Sequence, residues 1–308
     1  MAIRVAKPGF FTTVQDIGRY GYAHLGISPA GAADALSFRL ANLLVGNEQN
    51  VPVLEMTLLG ATLEFEESAV VAITGAECRA TLNREPAPSN AAIEVAAGAT
   101  LECGSMRNGA RSYLAVQGGF DVPLVMGSAS TFVAARFGGC QGRRVQAGDL
   151  LRVRQHGGMR HRSLRPGSVN VPRNPTPLRV TRGAQQDWFA PETFEKLFAG
   201  TYVVSDQSDR CGLRLNGETL QPSGQRQLLT DGIPLGALQV PQDGQPIILF
   251  VDQQTTGGYP KIANVIAADM HRVGQLRPRD EVRFAEVSIA DAVQALREQE
   301  RWLTEIFA

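Results

Sequence analysis

Lysine is nearly missing from this chain. Of 30 basic residues only Lys7, Lys196 and Lys261 are lysines, and none has the methionine neighbour that normally flanks a biotinylated lysine, so biotin is not expected on this chain. Cysteine is scarce too: Cys78, Cys103, Cys140 and Cys211 stand far apart, with no C-x-x-C pair and no matching histidine spacing. That favours free thiols in a reducing cytosol over a metal site or a disulfide framework. Long apolar runs are lacking; the longest, such as Ala69 to Ile73 and Ile247 to Val251, hold about five residues against the roughly 20 that span a bilayer. The N-terminal stretch from Met1 to Gly9 has no apolar core followed by a cleavage site. A cytoplasmic protein without membrane contact is the expectation. Net charge is absent as well, 30 acidic residues balancing 30 basic ones, which removes any general pull toward nucleic acid.

Familiar catalytic signatures are also missing. There is no G-x-x-x-x-G-K-[ST], no G-x-S-x-G and no H-E-x-x-H, and Gly26-Ile-Ser-Pro-Ala-Gly31 lacks the lysine that would reach phosphates. No metal site is expected.

What is present is a chain of 308 residues, long enough for about two domains. Residues 143 to 182 hold ten arginines against the single acid Asp149, a local charge of +9. Inside that window residues 156–177, which include His156 at the start and His161, are rich in Gly, Pro and Arg with no strand or helix period, and read as a linker. It separates an N-terminal domain, 1–155, from a C-terminal domain, 178–308. Without interleaved aromatics the arginines read as a solvated linker rather than an RNA contact.

Both halves are dominated by short apolar or alternating runs, among them Val53 to Thr57, Ala69 to Thr74, Ser112 to Val116, Tyr202 to Ser205 and Ile247 to Val251. Spacings of about ten residues favour antiparallel barrel or sandwich architecture. Helices are expected only across Ala32 to Val45, Pro191 to Ala199, Ile262 to Met270 and at the C-terminus. The last opens on the capping-box-like Ser288-Ile-Ala-Asp291 and presents Ile289, Val293, Leu296, Trp302, Leu303 and Ile306 as an apolar face to close the second barrel. A weak echo between residues 59–75 and 235–252, and between 148–153 and 279–284, suggests duplication of one barrel.

Four polar, Gly-punctuated stretches are candidates for chemistry. Thr12 to Gly21 places Gln15, Asp16 and Arg19 within five residues, as a site or as an Asp16–Arg19 pair pinning a loop. Gly118 to Thr131 is dense in glycine and hydroxyls, as an anion-binding nest or a structural loop. Ser205 to Arg214 offers Ser205 with Arg210 and Arg214, guanidinium groups able to clamp a carboxylate bidentately or to form a salt-bridged turn. Phe250 to Ala263 is the strongest: a buried strand delivers Asp252 and Gln254 to its end, Thr255-Thr256-Gly257-Gly258 lets backbone amides approach a ligand before Tyr259, and Lys261 adds an ammonium.

The motifs T-T-V-Q-D-x-G-R at 12–19, A-N-L-L-V-G-N at 41–47, L-E-M-T at 54–57, G-G-F-D-V-P at 118–123 and D-x-Q-T-T-G-G-Y-P-K-I-A at 252–263 carry a resemblance. Together they resemble the family of the 5-oxoprolinase C subunit, also described as allophanate hydrolase subunit 2 or biotin-dependent carboxyltransferase-like. The resemblance implies a mainly β protein with a few helices, two cyclophilin-like β-barrel domains with a site between them. It further implies an ATP-dependent complex, with Mg2+, that opens 5-oxo-L-proline to L-glutamate, the partners being 5-oxoprolinase subunits A and B, the latter kinase-inhibitor-like. By the same resemblance Asp252, Gln254 and Lys261 are catalytic, Ser205, Arg210, Arg214 and residues 255–259 bind substrate, and Gln15, Asp16 and Arg19 are secondary. The family also admits a carboxyltransferase of a urea carboxylase or allophanate-type system, or a non-catalytic subunit antagonising a kinase inhibitor. Relatives often read S-N-R-x-G where this chain has Ser208-Asp209-Arg210-Cys211-Gly212, and Ser-Glu-Gly or Ser-His-Gly where Thr230-Asp231-Gly232 stands.

Overall fold

In the computed structural model the described residues are 1–154, 164, 174–224 and 226–307. The segment read as a linker lies almost wholly outside them, as do His156 and His161, while its last two residues, Thr176 and Pro177, already belong to a strand. The chain forms two compact units: residues 1–19, 30–171 and 303–308 make the first, and residues 20–29 and 172–302 the second.

The first unit holds two sheets. One runs, edge to edge, through Leu150–Arg152, Ala2–Lys7, Thr62–Phe65, Thr100–Glu102, Thr81–Leu82 and Glu85–Pro86; the other through Phe11–Gln15, Val53–Thr57, Met106–Val116, Ala69–Cys78 and Ala92–Val95. Alternation in these strands sends Ile3, Val5, Leu63, Phe65 and Leu101 from the first sheet and Val14, Leu54, Met56, Ile73 and Leu114 from the second into one apolar core. Each such side chain contributes about 1.5–3 kcal/mol by leaving water. Helix α1, Ala35–Leu44, starts where Asp34 caps it: its Oδ1 accepts from the Ser37 amide at 2.9 Å and its Oδ2 from the Ser37 hydroxyl at 2.6 Å. Beside it the buried Glu55 carboxylate accepts from the Ala33 amide and the Tyr113 hydroxyl, both at 2.8 Å. Burial, together with the negative charge of Glu55, holds the Tyr113 phenol well above its ordinary pKa.

The second unit closes into a seven-stranded barrel in the order Thr176–Arg182, Lys261–Val265, Ala237–Gln239, Ile247–Leu249, Gly212–Asn216, Tyr202–Val204 and Glu281–Glu286, the last pairing in parallel with the first. Closure leaves the barrel no free edge. Most strands alternate, as in Gly212–Asn216, where Leu213 and Leu215 are buried and Arg214 is exposed. Two neighbours break the alternation. Ala237–Gln239 is buried throughout and Lys261–Val265 nearly so, and a small ribbon, Asp231–Gly232 paired with Thr256–Gly257, lies against Gln239 and Lys261.

A mainly β chain with few helices is the observed fold. Three expectations change in detail. The run Ile262 to Val265 is strand, followed only by a 3-10 turn, Ala267–Asp269, and the one-turn helix Met270–Val273, since the barrel gap at Ala237–Gln239 claims its backbone hydrogen bonds. The C-terminal helix Ile289–Glu305 starts with the expected reciprocal cap, but Ile289, Val293 and Leu296 are exposed, and Ala295, Leu303 and Ile306 are the buried positions. Pro191–Ala199 is helical as expected. The echoed segments also pair differently: Thr62–Phe65 and Ala69–Cys78 lie in separate sheets, whereas Ala237–Gln239 and Ile247–Leu249 are hydrogen-bonded neighbours.

Candidate functional site

One group of polar residues in the barrel unit lies just past the end of Ile247–Leu249. Past it the chain turns at Val251 and Asp252, with the Asp252 amide donating to the Arg210 carbonyl at 2.9 Å. That contact sets the side chains edge to edge: Arg210 Nε donates to Asp252 Oδ2 at 2.8 Å and Arg210 Nη2 to Oδ1 at 3.1 Å. Both are about nine-tenths shielded from solvent, the bidentate geometry that makes such pairs strong. Arg210 is presented by a tight turn in which Asp209 Oδ1 accepts from the Cys211 and Gly212 amides at 2.8 and 3.2 Å. Asp209, the departure from the relatives' asparagine, thus serves the turn. Ser205 closes the same loop through its amide to the Arg214 carbonyl at 2.8 Å, and the Arg214 side chain faces solvent.

Across the ribbon, Lys261 is 3 % exposed and its ammonium donates to Asp231 Oδ2 at 2.7 Å. Gln185 ties the two together, its Oε1 accepting from the Lys261 amide at 3.1 Å and its Nε2 reaching Asp231 at 3.5 Å. The Lys261 ammonium, aided by the Gly232 amide, holds the Asp231 carboxyl below its ordinary pKa. Asp231 and Gln185 were not expected from the sequence; the signal available was Thr230-Asp231-Gly232 itself, an aspartate where relatives carry glutamate or histidine.

The ribbon brings Thr256 and Gly257 over the barrel wall. A β-carbon at Gly257 would lie 2.8 Å from Ile233 Cδ1, 2.9 Å from the Gln254 amide nitrogen and 3.1 Å from that of Gln239. Glycine leaves this approach open without displacing those side-chain ends. The Thr255 carbonyl accepts from the Ile233 amide at 3.0 Å, whereas Gly258 and Tyr259 are exposed. Gln253, also unexpected, is buried: its Nε2 donates to the Ile233 carbonyl at 2.9 Å and its backbone carbonyl accepts from the Ser28 hydroxyl.

Gln15, Asp16 and Arg19 lie in the first unit and are all buried. The Asp16 carboxylate accepts from the Gly18 amide at 2.8 Å, the Ser128 hydroxyl at 2.6 Å, the Ser130 hydroxyl at 2.5 Å and the Ala129 amide at 2.6 Å. The Gly- and hydroxyl-rich stretch takes the structural-loop alternative: one of its amides and two of its hydroxyls form a nest of donors around the chain's own aspartate. Arg19 Nη2 donates to the Ser130 carbonyl, and its guanidinium sits 4.7 Å above the Phe137 ring.

Among the described residues no group of three or more His, Cys, Asp or Glu is placed to hold a metal ion, and no helix is long and apolar enough to cross a membrane. The four cysteines are free thiols.

A barrel unit and a two-sheet unit carrying these sites match a known architecture. Residues 25–286 fit the family model described as carboxyltransferase domain, subdomain A and B, and the chain belongs to that family. It is 38 % identical over 304 residues to the C subunit of 5-oxoprolinase from Escherichia coli (strain K12), covering 99 % of this chain and 97 % of that one. It is 37 % identical over 294 residues to the C subunit of 5-oxoprolinase from Haemophilus influenzae, covering 96 % and 94 %. The crystal structure of the K. lactis urea amidolyase superposes with a TM-score of 0.93 at 33 % identity, over 99 % of this chain and 20 % of that one. The chain therefore spans about a fifth of that larger protein.

Proposed function

We propose that this chain is one subunit of an ATP-dependent cyclic amide hydrolase that opens 5-oxo-L-proline to L-glutamate, acting with two partner subunits of the A and B type. The carrying observation is the pair of cation–carboxylate contacts at residues 252 and 261, the shielded Arg210–Asp252 and the buried Lys261 ammonium on the half-exposed Asp231, with the glycine-opened turn between them in the chain. The near full-length likeness to two relatives named as the C subunit of 5-oxoprolinase supports the same reading.

A lactam carbonyl is a weak electrophile. In this reading ATP, with Mg2+ as a substrate of the assembled complex, phosphorylates the carbonyl oxygen; water then adds to the carbon and the ring nitrogen leaves as the amine, giving an acyl phosphate that a second water hydrolyses to glutamate and phosphate, with ADP as the other product. The tasks assigned to this chain are binding and orientation. Lys261, held in place by Asp231 and Gln185, and the Gly257–Gly258 backbone stabilise negative charge as it develops. Asp252, fixed by Arg210, orients the attacking water, and the solvent-facing Arg214 meets the substrate carboxylate.

Lactam-dependent ATP hydrolysis by the purified chain, alone and mixed with its partner subunits, tests the proposal. Turnover only in the mixture is expected, with a Lys261→Ala mixture losing most of it; normal turnover in that variant would sink the assignment of Lys261. The likeness to urea amidolyase favours one second reading, transfer of a carboxyl group to urea from biotin carried on another chain. Bicarbonate- and urea-dependent turnover in the same assay would select it.

A further inference from the structure

Arg210 and Lys261 are each matched by a carboxylate, yet beneath the ribbon an uncharged donor is unmatched. Gln239 is 2 % exposed, and its side-chain nitrogen is buried with no hydrogen-bond partner. A buried amide in that state costs about 1–3 kcal/mol, and a barrel wall has no need of it: the other residues of Ala237–Gln239 are apolar. Gln239 stands opposite Lys261 in the sheet, and its side-chain nitrogen and that of Gln254 both come close to Gly257. Two N–H2 groups thus face one glycine whose missing side chain leaves their approach open. Gln253 Oε1 is likewise buried without a partner, while Gln253 Nε2 is engaged by the carbonyl of Ile233, whose side chain reaches the same Gly257.

An open donor and an open acceptor are the complement of an amide, which offers one carbonyl oxygen and one N–H; a carboxylate would leave the acceptor unanswered. We infer that Gln239 and Gln254 are the donors that receive the carbonyl oxygen of the amide substrate, and that Gln253 Oε1 accepts its N–H. The inference rests on the reading of the chain as a subunit of a cyclic amide hydrolase and names the residues that recognise the reacting group. Gln239 becomes accessible when the Thr256–Gly257 strand of the ribbon lifts, which breaks its short pairing with Asp231–Gly232 and the adjoining bond from the Ile233 amide to the Thr255 carbonyl; short elements with exposed backbone open at little cost.

The test uses the reconstituted three-subunit complex and three variants, Gln239→Leu, Gln239→Glu and Gln254→Leu, read by kcat/KM for 5-oxoproline and by the melting temperature of the variant chain. Loss of one donor to a developing oxyanion costs roughly 100-fold or more in other enzymes; a fall of at least about tenfold is expected for each Gln239 variant and for Gln254→Leu. Gln239→Leu should melt no lower than the parent, because it removes an unmatched polar group. Gln254 is exposed, so its variant reports on turnover even if the Gln239 variants fold poorly. Unchanged kcat/KM in Gln239→Leu and Gln254→Leu overturns the inference, as does a melting temperature that falls in step with activity in Gln239→Leu while Gln254→Leu is fully active. A parent complex without lactam-dependent turnover would instead overturn the functional reading on which the inference stands.

Discussion

Arg210 and Asp252 lie 42 residues apart in the chain and meet edge to edge through two hydrogen bonds of 2.8 and 3.1 Å, both side chains about nine-tenths shielded. The pair fixes the start of the turn that presents Gln254, Gly257 and Lys261, so its loss should be felt as disorder in the turn as well as lost stability.

Breaking the pair from one side strands a charge. Asp252→Ala should cost about 3–5 kcal/mol in urea unfolding, since the shielded guanidinium loses its carboxylate. The double variant Arg210→Ala/Asp252→Ala should lose clearly less than the sum of the two single changes. Additive losses would show that the two side chains act independently.

Asp231 gives a pH prediction. Its carboxyl is held down by the Lys261 ammonium and then by the Gly232 amide, so the folded value lies below the unfolded one. The contribution of the pair is therefore complete above the ordinary aspartate range and disappears as pH falls through the lowered value. A carboxyl NMR titration should find the Asp231 midpoint below 3.8, the ordinary value, and Lys261→Met should move it upward.

Tyr202 carries a hydroxyl buried in the barrel without a partner, its ring packed 5.6 Å from that of Phe284. Burial pushes its phenol upward, with Glu218 adding to the effect. Tyr202→Phe removes the unmatched group and keeps the ring, and should raise stability by about 1 kcal/mol in chemical denaturation. A drop of that size would mean the hydroxyl is satisfied.

The reciprocal cap at the start of the C-terminal helix is exposed and simple to test. Ser288 Oγ accepts from the Asp291 amide at 3.1 Å and donates to Asp291 Oδ2 at 2.6 Å. Ser288→Ala should cost about 1 kcal/mol, and Ser288→Gly only a few tenths, both by thermal unfolding.

Much of the architecture is legible in the sequence because a two-residue period survives in strands with one wet face, as Gly212–Asn216 illustrates once its place is known. It fails where both faces are covered. Lys261–Val265 has no alternation to read, and its apolar run is as compatible with helix as with strand; the ribbon that meets Lys261 is made of residues 231–232 and 256–257, which no local pattern connects. The C-terminal helix shows the converse: the apolar stripe Ile289, Val293 and Leu296 has the right period, yet the burial falls on Ala295 and Leu303, so periodicity alone does not locate the packed side. At the site, Lys261 stands out by rarity and Arg210 and Asp252 by residue type. Asp231, Gln185, Gln239 and Gln253 do not, because an amide's or a carboxylate's role is fixed by its partner, and those partners are set by barrel register across separations of 20 to 76 residues.

The Asp16 nest has a consequence outside catalysis. Four donors, from Gly18, Ser128, Ala129 and Ser130, converge on two oxygen atoms that are covalently tethered. An Asp16→Gly chain would keep the donors and lose the tether, leaving a vacancy shaped for a small carboxylate. Formate or acetate added to such a chain should restore part of its melting temperature in proportion to concentration, while chloride of equal ionic strength should not, turning an internal fastening into a chemically rescued receptor.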